Sequence, residues 1–130
     1  MPHYHAVVWI DHASARVFAF NAEDVEKQTI RSHHSHRQVH HRTGTLGTGR
    51  EGDDLDYFRA IADALAEAAE VLVIGPAQTR TRFAAWAEAH DAGLRARILA
   101  VEPADHPTDA QVVALARQYF RAADRMRPQR

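Results

Sequence analysis

The feature that most constrains the fold is the apolar run VLVI at residues 71–74, which Gly75 and Pro76 end. Its side chains do not alternate with polar ones, as they would in a strand with one face in water. The run therefore predicts a strand buried on both faces, and such a strand needs other elements packed on both sides of its sheet. The chain has 130 residues, which is enough for one core of this kind, so residues 1–130 are predicted to form a single domain.

The residues before this run predict an antiparallel meander of three strands. The apolar run HAVVWI at residues 5–10 is typical of a buried central strand. The sequence RVFAF at residues 16–20 predicts a second strand, with Phe18 and Phe20 on one face. The more polar residues 25–32 predict a third strand near an edge of the sheet.

Three helices are predicted after the meander. Asp53 or Asp54 is expected to cap the first. The second is expected over residues 78–90, with Gly93 as its stop signal. The third is expected to begin at a capping box at residues 108–111 and to run to about residue 125. The apolar residues expected to face the core are Leu55, Phe58, Ile61, Ala62, Leu65 and Ala69 in the first helix, Phe83, Trp86 and Ala87 in the second, and Val112, Leu115, Ala116, Tyr119 and Ala123 in the third.

With a further strand at residues 97–101, the predicted order of elements is β-β-β-α-β-α-β-α. Three antiparallel strands followed by βαβ units predict an α/β protein with a five-stranded mixed sheet and helices packed on it. This order is that of the ribonuclease-H-like architecture. Trp9 and Trp86 are expected in the core, and His3 and His5 at the surface.

Residues 31–50 carry four arginines and five histidines but no acidic residue. Their formal charge is +4, whereas the whole chain carries -1, so the remaining residues sum to -5. The three glycines of residues 31–50 and the lack of apolar periodicity predict a long basic loop at residues 33–52, and an anionic partner is expected to dock there. The candidate RNA-binding residues, with arginines for phosphates and histidines for bases, are Arg31, His33, His34, His36, Arg37, His40, His41, Arg42 and Arg50.

The segment VLVIGPAQTRTRFAAWAEAH at residues 71–90 resembles a signature in the central domain of Pelota and the archaeal and eukaryotic class-one release factors. That signature is a strand, Gly-Pro, a basic residue, Phe and a helix. The opening HAVVWIDHASARVFAF resembles the first hairpin of the same domain. The resemblance implies that the basic loop occupies the place where release factors carry their peptide-releasing Gly-Gly-Gln tip. The matching residues of the signature are Gly75, Pro76, Arg80 or Arg82, and Phe83.

This sequence has no Gly-Gly-Gln, and its nearest text is GTGR at residues 47–50. The resemblance therefore implies a Pelota-like translation domain that is not an enzyme and releases no peptide, and whose loop faces rRNA on the ribosome or a tRNA. No cofactor is expected. The chain has no cysteine and no apolar run near the ~20 residues of a membrane helix, so a cytoplasmic protein with no membrane partner is expected. A homodimer that covers a sheet edge stays open.

Two alternatives also stay open. The histidines of the basic loop could bind Zn²⁺, Ni²⁺ or Cu²⁺, although a flexible run lacks the fixed geometry of a structural site. Asp11 ends the first strand, where a ribonuclease-H-like nuclease keeps a carboxylate for Mg²⁺, and Glu102 and Asp109 could be its partners. Asp11 equally suits a turn. Arg80 and Arg82 are expected to extend the basic surface.

Overall fold

The computed structural model describes the backbone of residues 4–20, 24–32 and 46–126, and the side chains of residues 5–20, 24–32 and 55–122. The described residues confirm the predicted α/β class and order of elements, with one short helix added. The elements are β1 (Tyr4–Ile10), β2 (Ser14–Phe20), β3 (Val25–Arg31), α1 (Leu46–Ala64), β4 (Ala68–Gly75), α2 (Thr79–His90), α3 (Ala92–Arg97), β5 (Ile98–Pro103) and α4 (Asp109–Met126).

The five strands form one mixed sheet in the order β3-β2-β1-β4-β5. β1 pairs with β2, and β2 with β3, in antiparallel fashion, whereas β1–β4 and β4–β5 are parallel. β1, β3, β4 and β5 therefore run in the same direction, and their carboxyl ends meet at one end of the sheet. The prediction that the third strand lies near an edge is confirmed.

The central strands of the sheet are buried on both faces, as the central apolar run predicted. Val71 and Val73 of β4 face the core formed with α1, α2 and α3, whereas Leu72 and Ile74 face the core formed with α4. All four side chains are fully buried. The two tryptophans are buried as expected, Trp86 in the first core and Trp9 in the second, and Phe18 and Phe20 share the second core.

The start of α1 differs from the prediction. The helix begins at Leu46, so Asp53 and Asp54 lie inside it and neither is its N-terminal cap, and residues 46–52 are helical where a loop was predicted. Glycine lowers helix stability by about 1 kcal/mol relative to alanine, but unlike proline it keeps its N–H and causes no clash. Once the later turns pack on the sheet, each added residue contributes one hydrogen bond, and this outweighs the low propensity.

The buried face of α1 is also shifted from the predicted one. Phe58, Ile61 and Ala62 are buried as expected, and so is Leu65, which follows the helix, but Leu55 is 48% exposed. Ala69 belongs to β4. Tyr57 is also buried in the core, although the predicted inward face of this helix did not include it.

The stop signal predicted at Gly93 is wrong, because α2 ends at His90 and Gly93 lies within α3. The Asp91 side chain accepts a hydrogen bond from the Leu94 N–H at 3.1 Å, so it caps a new helix. The capping box before α4 is confirmed. Thr108 Oγ1 accepts from the Gln111 N–H at 3.1 Å, and Gln111 Oε1 accepts from the Thr108 N–H at 2.9 Å.

The inward face of α4 follows Val112, Ala116 and Phe120, which are buried at successive steps of four residues. The expectation for Leu115 is wrong, since it is 37% exposed. Phe83 and Ala87 of α2 are buried as predicted. Among the described residues, no helix combines the length and the apolar character that crossing a membrane requires.

Candidate nucleic-acid interface

The basic segment, defined here as residues 33–45, starts from a firmly held position. Ser32, the residue before it, is fully buried, and its N–H donates a hydrogen bond to the Ala13 carbonyl oxygen at 2.9 Å. The preceding residue, Arg31, pairs with Ser14 at the end of the β2–β3 ladder. The chain therefore enters the segment beside the turn that joins β1 to β2, at the carboxyl end of the sheet.

Asp11 shapes that turn. Its Oδ1 accepts hydrogen bonds from the N–H groups of Ala13 and Ser14, both at 2.9 Å, and its own N–H donates to the Ser14 carbonyl oxygen at 3.0 Å. The Tyr57 hydroxyl donates to the Asp11 carbonyl oxygen at 2.9 Å. The turn thus binds the end of β3 through Ala13 and also binds α1, the helix that follows the segment, at Tyr57, eleven residues after that helix begins.

The structure places the predicted RNA-binding residues in three groups. Arg31 is exposed at the end of β3. Arg50 lies in the first turns of α1, inside a helix and not in the predicted loop. The remaining seven fall outside the described residues, so their role stays a prediction: His33, His34, His36, Arg37, His40, His41 and Arg42.

The three acids of the nuclease alternative are each engaged by protein groups. Asp11 Oδ1 accepts the two turn hydrogen bonds, and Glu102 Oε2 accepts from the Tyr119 hydroxyl at 3.2 Å. Asp109 pairs through Oδ1 with Arg16 and through Oδ2 with Lys27, the latter at 2.7 Å. In the described part of the chain, no three His, Cys, Asp or Glu residues are grouped closely enough to hold a metal ion.

These contacts shift the pKa values of two groups. Hydrogen bonds from Lys27 and then Arg16 hold the pKa of Asp109 below its ordinary value. Burial, followed by the nearby charge of Glu102, raises the pKa of the Tyr119 hydroxyl. Both shifts favour the form that makes the contact, which is the ionised carboxylate in the first case and the protonated hydroxyl in the second.

Gly75 and Arg80 of the resemblance signature have structural roles here. A β-carbon on Gly75 would overlap the carbonyl oxygen of Ile10, so glycine allows β1 and β4 to approach each other. Arg80 folds back and donates from Nη1 to the Gly75 carbonyl oxygen at 3.1 Å. Arg80 therefore binds the end of β4, whereas Arg82 is exposed with its guanidinium 6.0 Å from the ring of Phe58.

Arg16 and Lys27 were missed as candidates because their neighbours in sequence show no cluster of charge. Arg16 lies 4.6 Å from the Trp9 ring and donates to the Pro107 carbonyl oxygen at 2.9 Å. The period-two alternation of strands was the signal that could have placed Arg16 and Lys27 on one face of the sheet.

His5, expected at the surface, is half-buried, with its ring 4.3 Å from that of Phe120. His3 lies outside the described residues.

The fold is similar to those of solved translation-factor structures. The Pelota protein of Archaeoglobus fulgidus matches with a TM-score of 0.62 and 12% identity, over 91% of this chain and 32% of that one. The Pelota protein of Thermoplasma acidophilum matches with a TM-score of 0.57 and 21% identity, over 86% of this chain and 31% of that one. The archaeal translation termination factor aRF1 matches with a TM-score of 0.58 and 13% identity, over 95% and 39%.

The chain thus spans about a third of the length of the proteins whose structures it matches. No protein-family model matches the sequence, and no curated protein does so either. The identities lie well below those at which activity can be carried over from a relative, so the likeness concerns the fold. In fold, the chain is similar to about a third of each of these Pelota and release-factor structures.

Proposed function

We propose that this protein is a translation-associated RNA-binding domain that contacts rRNA on the ribosome, or a tRNA, through its basic segment and the arginines that flank it. It releases no peptide. One observation carries the proposal. The basic segment lies between β3 and α1, and the residue after β3 and Tyr57 of α1 both bind the Asp11 turn. In release factors, which share this fold, the loop at that place is the tip that acts on peptidyl-tRNA.

The distribution of charge supports the same function. Residues 31–50 carry +4, and the rest of the chain carries -5. An acidic body repels a polyanion, so RNA binding concentrates at residues 31–50, where no acidic residue offsets the arginines. The planar guanidinium suits phosphate, since it donates two parallel hydrogen bonds to one group. Contacts of this kind give binding that depends strongly on salt and weakly on sequence.

Sedimentation with ribosomes and with rRNA fragments at increasing salt tests the proposal. If three or four arginines contact phosphates, the slope of log K against log salt is about -2 to -4. Arg37→Ala/Arg42→Ala should flatten that slope by about 1.5 and weaken binding to many RNA sequences alike.

The matched control is Arg59→Ala/Arg95→Ala, which removes the same charge from α1 and α3, outside residues 31–50. It should leave the salt slope nearly unchanged. Equal affinity and an equal slope for the wild type and Arg37→Ala/Arg42→Ala, in both assays, would overturn the proposed function.

A further inference from the structure

The alternation of β3 separates its charges onto two faces. Lys27, Thr29 and Arg31 lie opposite Phe18, Arg16 and Ser14 of β2, and Phe18 belongs to the core on the α4 side. The intervening residues point the other way, and Ile30 packs on the core formed with α1. Both cations of β3 are therefore on the α4 side of the sheet.

That face of β3 is open. Every residue of β3 except Ile30 is exposed. α1 packs against β3 from the other side of the sheet, whereas α4 packs on β1. The first turn of α4 reaches β3 through the ion pair between Asp109 and Lys27, in which the Lys27 side chain is still 43% exposed.

The open face has an excess of positive charge. Asp109 is shared, with Oδ1 on Arg16 and Oδ2 on Lys27, so two cations have one carboxylate between them. Arg31 makes no ion pair with any residue in the described part of the chain. Three cations and one carboxylate sum to a formal +2. The Arg16 side chain is only 18% exposed, so Lys27 and Arg31 are the accessible cations of this face. The basic segment begins two residues after Arg31.

We propose that this sheet-edge face, formed by Lys27, Thr29 and Arg31 beside the largely buried Arg16, holds the sugar-phosphate backbone of the RNA strand that the basic segment binds. The proposal rests on the proposed function and extends it to a second contact surface. Four residues of a strand span about 13 Å, so Lys27 and Arg31 reach separate phosphates. The face offers charges and a hydroxyl but no exposed aromatic ring, so its contacts position the backbone without reading sequence.

Two single substitutions compare the effect of a negative charge on this face of β3 with its effect on the opposite face. Thr29→Glu and Gln28→Glu each place one carboxylate on an exposed residue of β3, on opposite faces of the sheet. In fluorescence anisotropy with a single-stranded RNA oligonucleotide at about 0.15 M salt, where exposed charges more than about 8 Å apart are largely screened, Thr29→Glu should weaken binding by about threefold to tenfold. Gln28→Glu should change it by less than about twofold, and Thr29→Lys should strengthen it.

Each outcome decides the proposal. If Arg37→Ala/Arg42→Ala weakens binding while Thr29→Glu and Gln28→Glu bind alike, the sheet-edge face is not a contact and the proposed function stands. If the wild type binds no RNA, both fall. If Thr29→Glu alters self-association, measured by sedimentation velocity, and not RNA affinity, the face pairs with a second copy of the chain. Should Thr29→Glu lower the Tm, Lys27→Gln repeats the test, and unchanged affinity there overturns the proposal.

Discussion

Gly75 lies so close to Ile10 that a β-carbon on the glycine would overlap the carbonyl oxygen of the isoleucine. The carbonyl oxygen of Gly75 also accepts a hydrogen bond from the Ala104 N–H at 2.8 Å, so the strand end cannot shift freely. We predict that Gly75→Ala lowers the free energy of unfolding by about 1–3 kcal/mol, as overpacking does elsewhere.

Gly93→Ala is the control. A β-carbon there meets only Asp91 Oδ1 at 3.8 Å, and Gly93 lies in a helix, so the change should raise the free energy of unfolding by about 0.5–1 kcal/mol. Urea denaturation measures both. Effects of the same sign for the two variants would contradict the close approach of β1 and β4.

Asp109 should make stability depend on acid pH. Its pKa is lowered by Lys27 and Arg16, so the pairing stabilises the fold above the ordinary carboxyl pKa and is lost as pH falls through the lower pKa of the folded state. Asp109→Asn should reduce the loss of stability that the wild type shows between about pH 4 and its acid transition. Near pH 7 the cost should be at most about 1 kcal/mol, because the side chain is 45% exposed.

Urea titrations at neutral and acid pH measure this effect. Asp63→Asn, a change at an exposed carboxyl of α1, serves as the control. If Asp109→Asn and Asp63→Asn show the same pH profile, the paired carboxylate has no special role.

Substitutions of Asp11 test whether this residue shapes the turn or binds a metal ion. Asn at this position keeps a side-chain oxygen for the N–H groups of Ala13 and Ser14, whereas Ala leaves them without it. Asp11→Asn should therefore change the free energy of unfolding little, and Asp11→Ala should lower it by about 1–2 kcal/mol.

Incubation of the wild-type protein with structured RNA, single-stranded DNA and branched DNA in Mg²⁺ and Mn²⁺ should give no cleavage. Cleavage by the wild type that Asp11→Asn abolishes would support the nuclease alternative.

The histidines of the basic segment should act as titrating cations. An unperturbed imidazole has a pKa of about 6.5, so lowering the pH from about 7.5 to about 6 adds positive charge and should tighten RNA binding.

Zn²⁺ should bind weakly to the histidines of the basic segment and raise the Tm little. Calorimetric titration that shows one tight Zn²⁺ site, lost in His36→Ala or His40→Ala, would favour the metal-binding alternative instead.

Peptide release gives a negative prediction. The sequence lacks Gly-Gly-Gln between Ser32 and Asp53, so the protein should not hydrolyse peptidyl-tRNA on programmed ribosomes. The measurement is the release of labelled peptide, compared with a reaction that contains programmed ribosomes but no added protein. Release above that background, if it disappeared when Arg37 and Arg42 were replaced, would show that another residue supplies the missing chemistry.

Much of the architecture could be predicted because several local signals agreed. The buried run of β4, the edge character of β3 and the capping box at Thr108 and Gln111 all lie where the sequence patterns indicated. The limits of helices were less predictable. Aspartate is a favoured residue at helix N-caps, yet α1 begins at Leu46, before Asp53 and Asp54. Packing of its later turns supports a glycine-containing extension that local helix propensity disfavours.

The sequence by itself determined the order of the elements, the two-sided burial of the sheet and the charge of the basic segment, since each depends on neighbours along the chain. Only the tertiary structure decided which distant groups meet. Lys27 and Asp109 are 82 residues apart and pair at 2.7 Å, and Tyr57 is 46 residues from the Asp11 carbonyl oxygen that it binds. Contacts of this kind depend on the register of the strands and on the position of each helix on the sheet. Both arise from packing of the whole core and not from any local pattern.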